Sequence, residues 1–155
     1  MLAEKIKQLA DQVLDKNATV QSVAAHVGPW QDDGSPECPV TPRDRNFQSG
    51  RIGIGSDHGH PHTPAAARRP DYLDLTLAKD AVLTVDALGR VFGKQRAVTP
   101  PPHGNPYSVV FYYPNDKAML SVAVFAELSG PAGDAATRIT SLTLRRDDVA
   151  EAFRQ

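Results

Sequence analysis

The run LTLRRDDV, from Leu142 to Val149, occurs earlier as LTLAKDAV, from Leu75 to Val82. Leu, Thr, Leu, a cation, Asp and Val fall at matching places in both. A second correspondence lies upstream. Thr19 opens the pattern T-V-x-x-V-A-x-x-V-G, and Thr84 opens T-V-x-x-L-G-x-x-F-G, at a shift of 65 (84 minus 19). A third joins PVTP, Pro39 to Pro42, with AVTP, Ala97 to Pro100. Three correspondences in one order predict two tandem copies of a helix-plus-strand unit, over approximately 19–80 and 84–147.

The elements follow from periodicity and punctuation. Leu2, Ile6, Leu9 and Val13 recur at helical spacing, with Ala10 and Leu14 widening the stripe. This predicts an amphipathic helix over 2–15, ended at Lys16-Asn17 because Asn tolerates the left-handed conformation of a helix terminus. Thr19 and Thr84 each have a hydroxyl able to cap a helix N-terminus. Gly28-Pro29 stops the first of those helices and Gly93 the second. Strands are expected at Phe47–Ile54, Tyr72–Ala78, Tyr107–Tyr113, Ala118–Leu128 and Thr137–Arg146, with a hairpin turn at Pro114-Asn115-Asp116. PVTP and AVTP read as Pro-rich connectors. Asp147 and Asp148 suit the start of a last helical turn reaching Arg154.

Alternation assigns the strand faces. Leu120, Val122, Val124, Ala126 and Leu128 should face the helices, as should Leu142 and Leu144, and Leu73, Leu75 and Leu77. Met119, Ser121, Ala123, Phe125 and Glu127, with Ser141, Thr143 and Arg145, and Asp74 and Thr76, should point the other way. The expected class is therefore α+β, one domain over 1–155. Two helix-plus-antiparallel-strand repeats form one sheet with helices on one face, preceded by the N-terminal helix.

This plan resembles the β-lactamase-inhibitor-protein-like fold. The likeness rests on Thr19-Val20 with Thr84-Val85, Gly28 with Gly93, and LTLAKDAV with LTLRRDDV. It implies two units side by side whose shared sheet grips a partner protein on its concave face. Related helix-plus-meander domains also occur in small bacterial lipoproteins that assemble outer-membrane complexes. The inhibitor family's disulfides within each unit have no counterpart here, because Cys38 is the only cysteine.

Composition narrows the function classes. Hydrophobic residues make up 41% of the 155, enough for a core. A formal charge of −1 with mixed signs argues against a nucleic-acid binder. No run approaches the roughly 18 apolar residues of a membrane span. The start, MLAEKIKQLADQ, lacks the apolar core of a signal peptide. A cytoplasmic protein is expected, the alternative being a periplasmic one without its leader. No phosphate-cradling loop, Gly-x-Ser-x-Gly elbow or His-Glu-x-x-His pattern occurs, so no catalytic residue is assigned.

Two constellations remain. Tyr112 or Tyr113, with Phe125 and Arg145, are residue types that anchor interfaces, and His103 stands on a bordering Pro-rich loop. They predict a non-enzymatic module that binds another protein, an inhibitor or immunity protein that blocks an enzyme or toxin. The second is His58, His60 and His62, whose spacing suits metal ligation in an extended segment. It supports the alternative of a small zinc-binding protein or hydrolase; the protein-binding reading needs no cofactor. A structural or assembly subunit of a bacterial envelope complex is a further alternative. Exposed strand edges at Phe47–Ile54 or Thr137–Arg146 leave a homodimer open.

Overall fold

The structure, a computed structural model, describes residues 1–55, 63–97, 107–114 and 120–148. Helix α1 spans Leu2–Leu14 and α2 Val20–Ala25. Strands β1 (Glu37–Val40), β2 (Phe47–Ile54) and β3 (Pro70–Leu77) follow, with a 3-10 turn at Ala65–Ala67 before β3. Helix α3 spans Val85–Phe92. Strands β4 (Arg96–Ala97), β5 (Ser108–Tyr113), β6 (Leu120–Leu128) and β7 (Ile139–Asp148) complete the described elements. All neighbouring strands are antiparallel, in the order β1-β2-β3-β7-β6-β5-β4. The α+β class and the one-sided helical layer are as expected.

The Thr caps form as their chemistry dictates. Thr19 Oγ1 accepts from Ser22 N at 3.0 Å, while Ser22 Oγ accepts from Thr19 N at 2.9 Å, a reciprocal capping box. Thr84 Oγ1 accepts from Ala87 N at 3.2 Å. Gly93 ends α3 at φ 91°, a conformation glycine adopts without a Cβ penalty. Helix α1 ends differently from expectation. Asp15 leaves the helix at φ −56° and ψ 126°, and its carboxylate accepts from Asn17 N at 2.9 Å. An Asx turn at Asp15 takes the place of a left-handed Asn17.

The core lies between the sheet and the three helices. Ile6, Leu9, Ala10 and Val13 of α1 are buried with Val20, Val23 and Ala24 of α2 and Leu88 and Phe92 of α3. Beneath them lie Ile52, Leu73, Leu75, Val109, Phe111, Val122, Val124, Leu142 and Leu144. At the sheet's centre β3 and β7 pair so that Leu75 stands opposite Leu142 and Leu73 opposite Leu144. The two LTL runs thus meet at their first leucines. Three long-range contacts hold α1 on this layer. Lys5 Nζ lies 3.1 Å from Asp44 Oδ2, and the Tyr113 hydroxyl donates to Asp11 at 2.6 Å. Arg146 Nη1 donates to the carbonyls of Val13 at 2.7 Å and Asp15 at 2.9 Å. A guanidinium on the last carbonyls satisfies acceptors that the helix leaves unpaired and opposes its negative end.

Three expectations are corrected. PVTP and AVTP are not wholly connectors, since Pro39 and Val40 belong to β1 and Ala97 to β4, the two edges of the sheet. An edge position tolerates Pro because its missing N–H is not needed in the ladder. No helix begins at Asp147. Residues 147–148 extend β7, with Asp147 opposite Ser121 and Asp148 opposite Leu120, so pairing to β6 overrides the local capping preference. Finally, neither Phe47–Ile54 nor Thr137–Arg146 offers an exposed edge, because β2 is paired by β1 and β3, and β7 by β3 and β6. Gly53 lies under the Tyr72 ring, where a Cβ would come 2.2 Å from a ring carbon.

Candidate functional site

Alternation leaves a second face, opposite the helices, and the register places its side chains in rows. Arg51, Asp74, Thr143, Phe125 and Val110 form one row from β2 to β5. Tyr72, Arg145, Ala123 and Tyr112 form the row on one side of it. Ser49, Thr76, Ser141, Glu127 and Ser108 form the row on the other. The face is concave over these strands, enclosing a groove of about 500 Å³ lined by Arg51, Asp74, Thr143, Phe125, Glu127 and Arg145 among others.

On this face Val110 and Ala123 are buried although they point away from the helices. Its polar groups are mostly tied to one another. The Thr143 hydroxyl donates to Asp74, and Ser141 Oγ donates to Glu127 Oε2 at 3.2 Å. Arg51 Nη1 reaches Glu37 Oε2 at 3.2 Å, and the Tyr72 hydroxyl donates to the other Glu37 oxygen. Arg145 is the exception. It is exposed and makes no hydrogen bond or ion pair among the described residues. Phe125 is half-buried, its ring presented between Thr143 of β7 and Val110 of β5.

Tyr72 supplies a pH test of this face. Burial, and then its hydrogen bond to Glu37, hold the phenol well above its ordinary value near 10. The raised value means that the folded state keeps the proton longer than the unfolded chain. The stabilisation is complete below about pH 10 and is lost as pH rises towards the folded value. Tyr72→Phe keeps the ring over Gly53 but removes the titrating group. Urea unfolding from pH 8 to 11 is expected to show stability falling above about pH 10 in the wild type, with a shallower fall in Tyr72→Phe.

The predicted residues divide. Phe125 and Arg145 share the groove, as expected, and Tyr112 lies on the same face. Tyr112 stacks with Arg96, whose guanidinium carbon is 5.7 Å from its ring centre. Tyr113 does not join them. It lies opposite Val122 on the helix side, edge-on to Phe92 at 5.5 Å and bonded to Asp11. The reason is one step of alternation along β5, where Val109, Phe111 and Tyr113 share the inward face. His103, and the alternative metal residues His58, His60 and His62, lie outside the described residues. Among the described residues no three His, Cys, Asp or Glu side chains gather to hold a metal ion. Arg51, Asp74, Thr143 and Glu127 were not chosen from sequence as site residues. Alternation already put Asp74, Thr143 and Glu127 outward, but only the sheet order brings them together.

Cys38, the single cysteine, is a fully buried residue of β1 opposite Ile52. Burial, with Asp32 and Asp33 nearby, pushes its thiol pKa up, which leaves it inert. No helix among the described residues is long and apolar enough to cross a membrane. No family model, curated protein or solved structure matches the chain.

Proposed function

We propose that this chain is a non-enzymatic protein-binding module that engages its partner with the concave sheet face. The supporting observation is a pairing of residue types in one groove: Phe125 presents a ring, and Arg145 presents a cation engaged with nothing else described. Aromatic rings and Arg are the side chains that most often dominate binding energy when they enter a desolvated interface centre. The helices cover the other face, so the groove is where the sheet has side chains to offer. Pro-rich segments adjoin β1 and β4 in sequence, and prolines reduce the ordering cost of binding.

The finer reading is an inhibitor or immunity-type protein. By steric occlusion it would cover the working surface of an enzyme or toxin. This agrees with the likeness to the β-lactamase-inhibitor-protein-like fold. Two related units would supply the two halves of the sheet, meeting where Leu75 faces Leu142.

The test begins with tagged chain expressed in its source cells, recovery of a bound protein, and reconstitution from purified components. Calorimetry is expected to show that Phe125→Ala and Arg145→Ala each weaken the complex by about 1–3 kcal/mol, roughly 5- to 150-fold. Asp86→Ala, an exposed change on α3, should leave affinity unchanged. Wild-type affinity in both groove variants would remove the proposed surface.

A further inference from the structure

The charges left over in the groove define a polarity, and a polarity selects a partner. Arg51 is occupied by Glu37, while Asp74, at the level of Phe125, keeps its charge with one oxygen held by the Thr143 hydroxyl. That leaves Arg145 towards one end. Towards the other is Glu127, with one carboxylate oxygen held by Ser141. Arg145 is level with Ala123 on β6, and Glu127 is four residues further along that strand. At the rise of a β-strand this separates the two by about 13 Å along the groove. Phe125 stands between these levels on β6. Near Glu127, the Ser108 hydroxyl is buried with no hydrogen-bond partner among the described residues.

Resting on the protein-binding reading, we infer that the groove takes a protruding loop of the partner that sets a carboxylate against Arg145 and a cation against Glu127, with an apolar side chain between them on Phe125. Three features carry this. The groove is concave, so its occupant is convex. Its charges without an ionic partner are of opposite sign and separated along the strands, Arg145 at one end and Glu127, with Asp74 between, towards the other, so one orientation of the occupant is favoured and the reverse brings like charges together. Its middle on β6 is the Phe125 ring, which offers no partner to a buried charge. A uniformly acidic or basic segment meets repulsion at one end. A nucleic-acid strand meets Glu127 and Asp74.

The experiment uses the full chain as bait for a displayed library of random constrained loops, selected in parallel on wild type, on the charge-reversed variant Arg145→Glu/Glu127→Lys, and on Asp86→Ala as a helix-face control. Wild type is expected to enrich loops with an acid and a base flanking an apolar residue. The reversed variant should enrich the opposite order. Loops selected on wild type should bind the reversed variant at least about tenfold more weakly, and Asp86→Ala as well as wild type. Arg145 is exposed and Glu127 is half-buried on the open face, so a thermal melt close to wild type is expected. If the double variant does not fold, Arg145→Gln and Glu127→Gln each replace it, with the same loss of affinity expected. Loops that lose binding in Phe125→Ala yet show no charge order overturn the polarity and leave the protein-binding reading standing. Loops that bind equally well to wild type and to both Phe125→Ala and the reversed variant overturn both.

Discussion

Gly28→Ala is expected to destabilise the fold by about 3 kcal/mol or more, among the larger effects a single methyl group can have. The position follows α2, where residues 27–30 run beside residues 40–43. Arg43 N donates to Val27 O at 3.0 Å, and Thr41 N donates to Pro29 O at 2.7 Å. Between these bonds a Cβ on residue 28 would lie 1.8 Å from Thr41 O and 2.9 Å from its carbonyl carbon. The obstacle is backbone, not the end of a flexible side chain, so the two segments must separate and give up hydrogen bonds. Gly89→Ala on α3 is the matched control. A Cβ there meets nothing within 4 Å, and the helix gains from the change, so stability should rise by about 0.5–1 kcal/mol. Urea unfolding of both variants tests the pair. A Gly28→Ala protein as stable as wild type would contradict the close approach.

Phe111→Ala is expected to cost about 3–5 kcal/mol. Phe111 is fully buried on β5, opposite Val124, with its ring 6.0 Å from that of Phe92. It therefore joins α3 to the sheet, and removing it leaves a cavity between two layers that are held apart elsewhere. For a domain of this size the loss corresponds to a fall in melting temperature of about 6–20 °C. Phe111→Leu retains most of the volume and should cost much less. Calorimetric melting of the two variants decides the point. Equal small losses in both would mean that the ring is not a principal contact between α3 and the sheet.

The parts of this fold that were legible in the sequence are those set by near neighbours. The Thr19 and Thr84 caps, the stripe of α1 and the alternation of β6 and β7 are local patterns, and each appears where those patterns place it. What was not legible depends on partners remote in sequence. β4 is two residues long and exists by pairing with Val109 and Val110 of β5. Asp147 looks like a helix start until Ser121 is placed opposite it. Arg146 carries no local signal of its role, yet it closes the end of α1 across more than a hundred residues. The site divides in the same way. Phe125 and Arg145 were visible as outward-facing side chains from alternation alone. Tyr112 and Tyr113 were separable only once the register of β5 against β6 was fixed. Arg51, Asp74 and Thr143 become one row only through the order β2-β3-β7.

The most direct test of the concave face as the partner surface is thiol blocking. Cys38 is fully buried, so the native chain offers no competing reactive thiol. Thr76→Cys places a thiol at an exposed position lining the groove, and Asp86→Cys places one on the outer side of α3. Each is capped with a bulky maleimide and titrated against the reconstituted partner. The labelled Thr76→Cys protein is expected to lose binding by at least about tenfold, while labelled Asp86→Cys binds as wild type does. Unimpaired binding with the groove blocked, together with loss when α3 is labelled, would place the partner on the helical face and contradict the account.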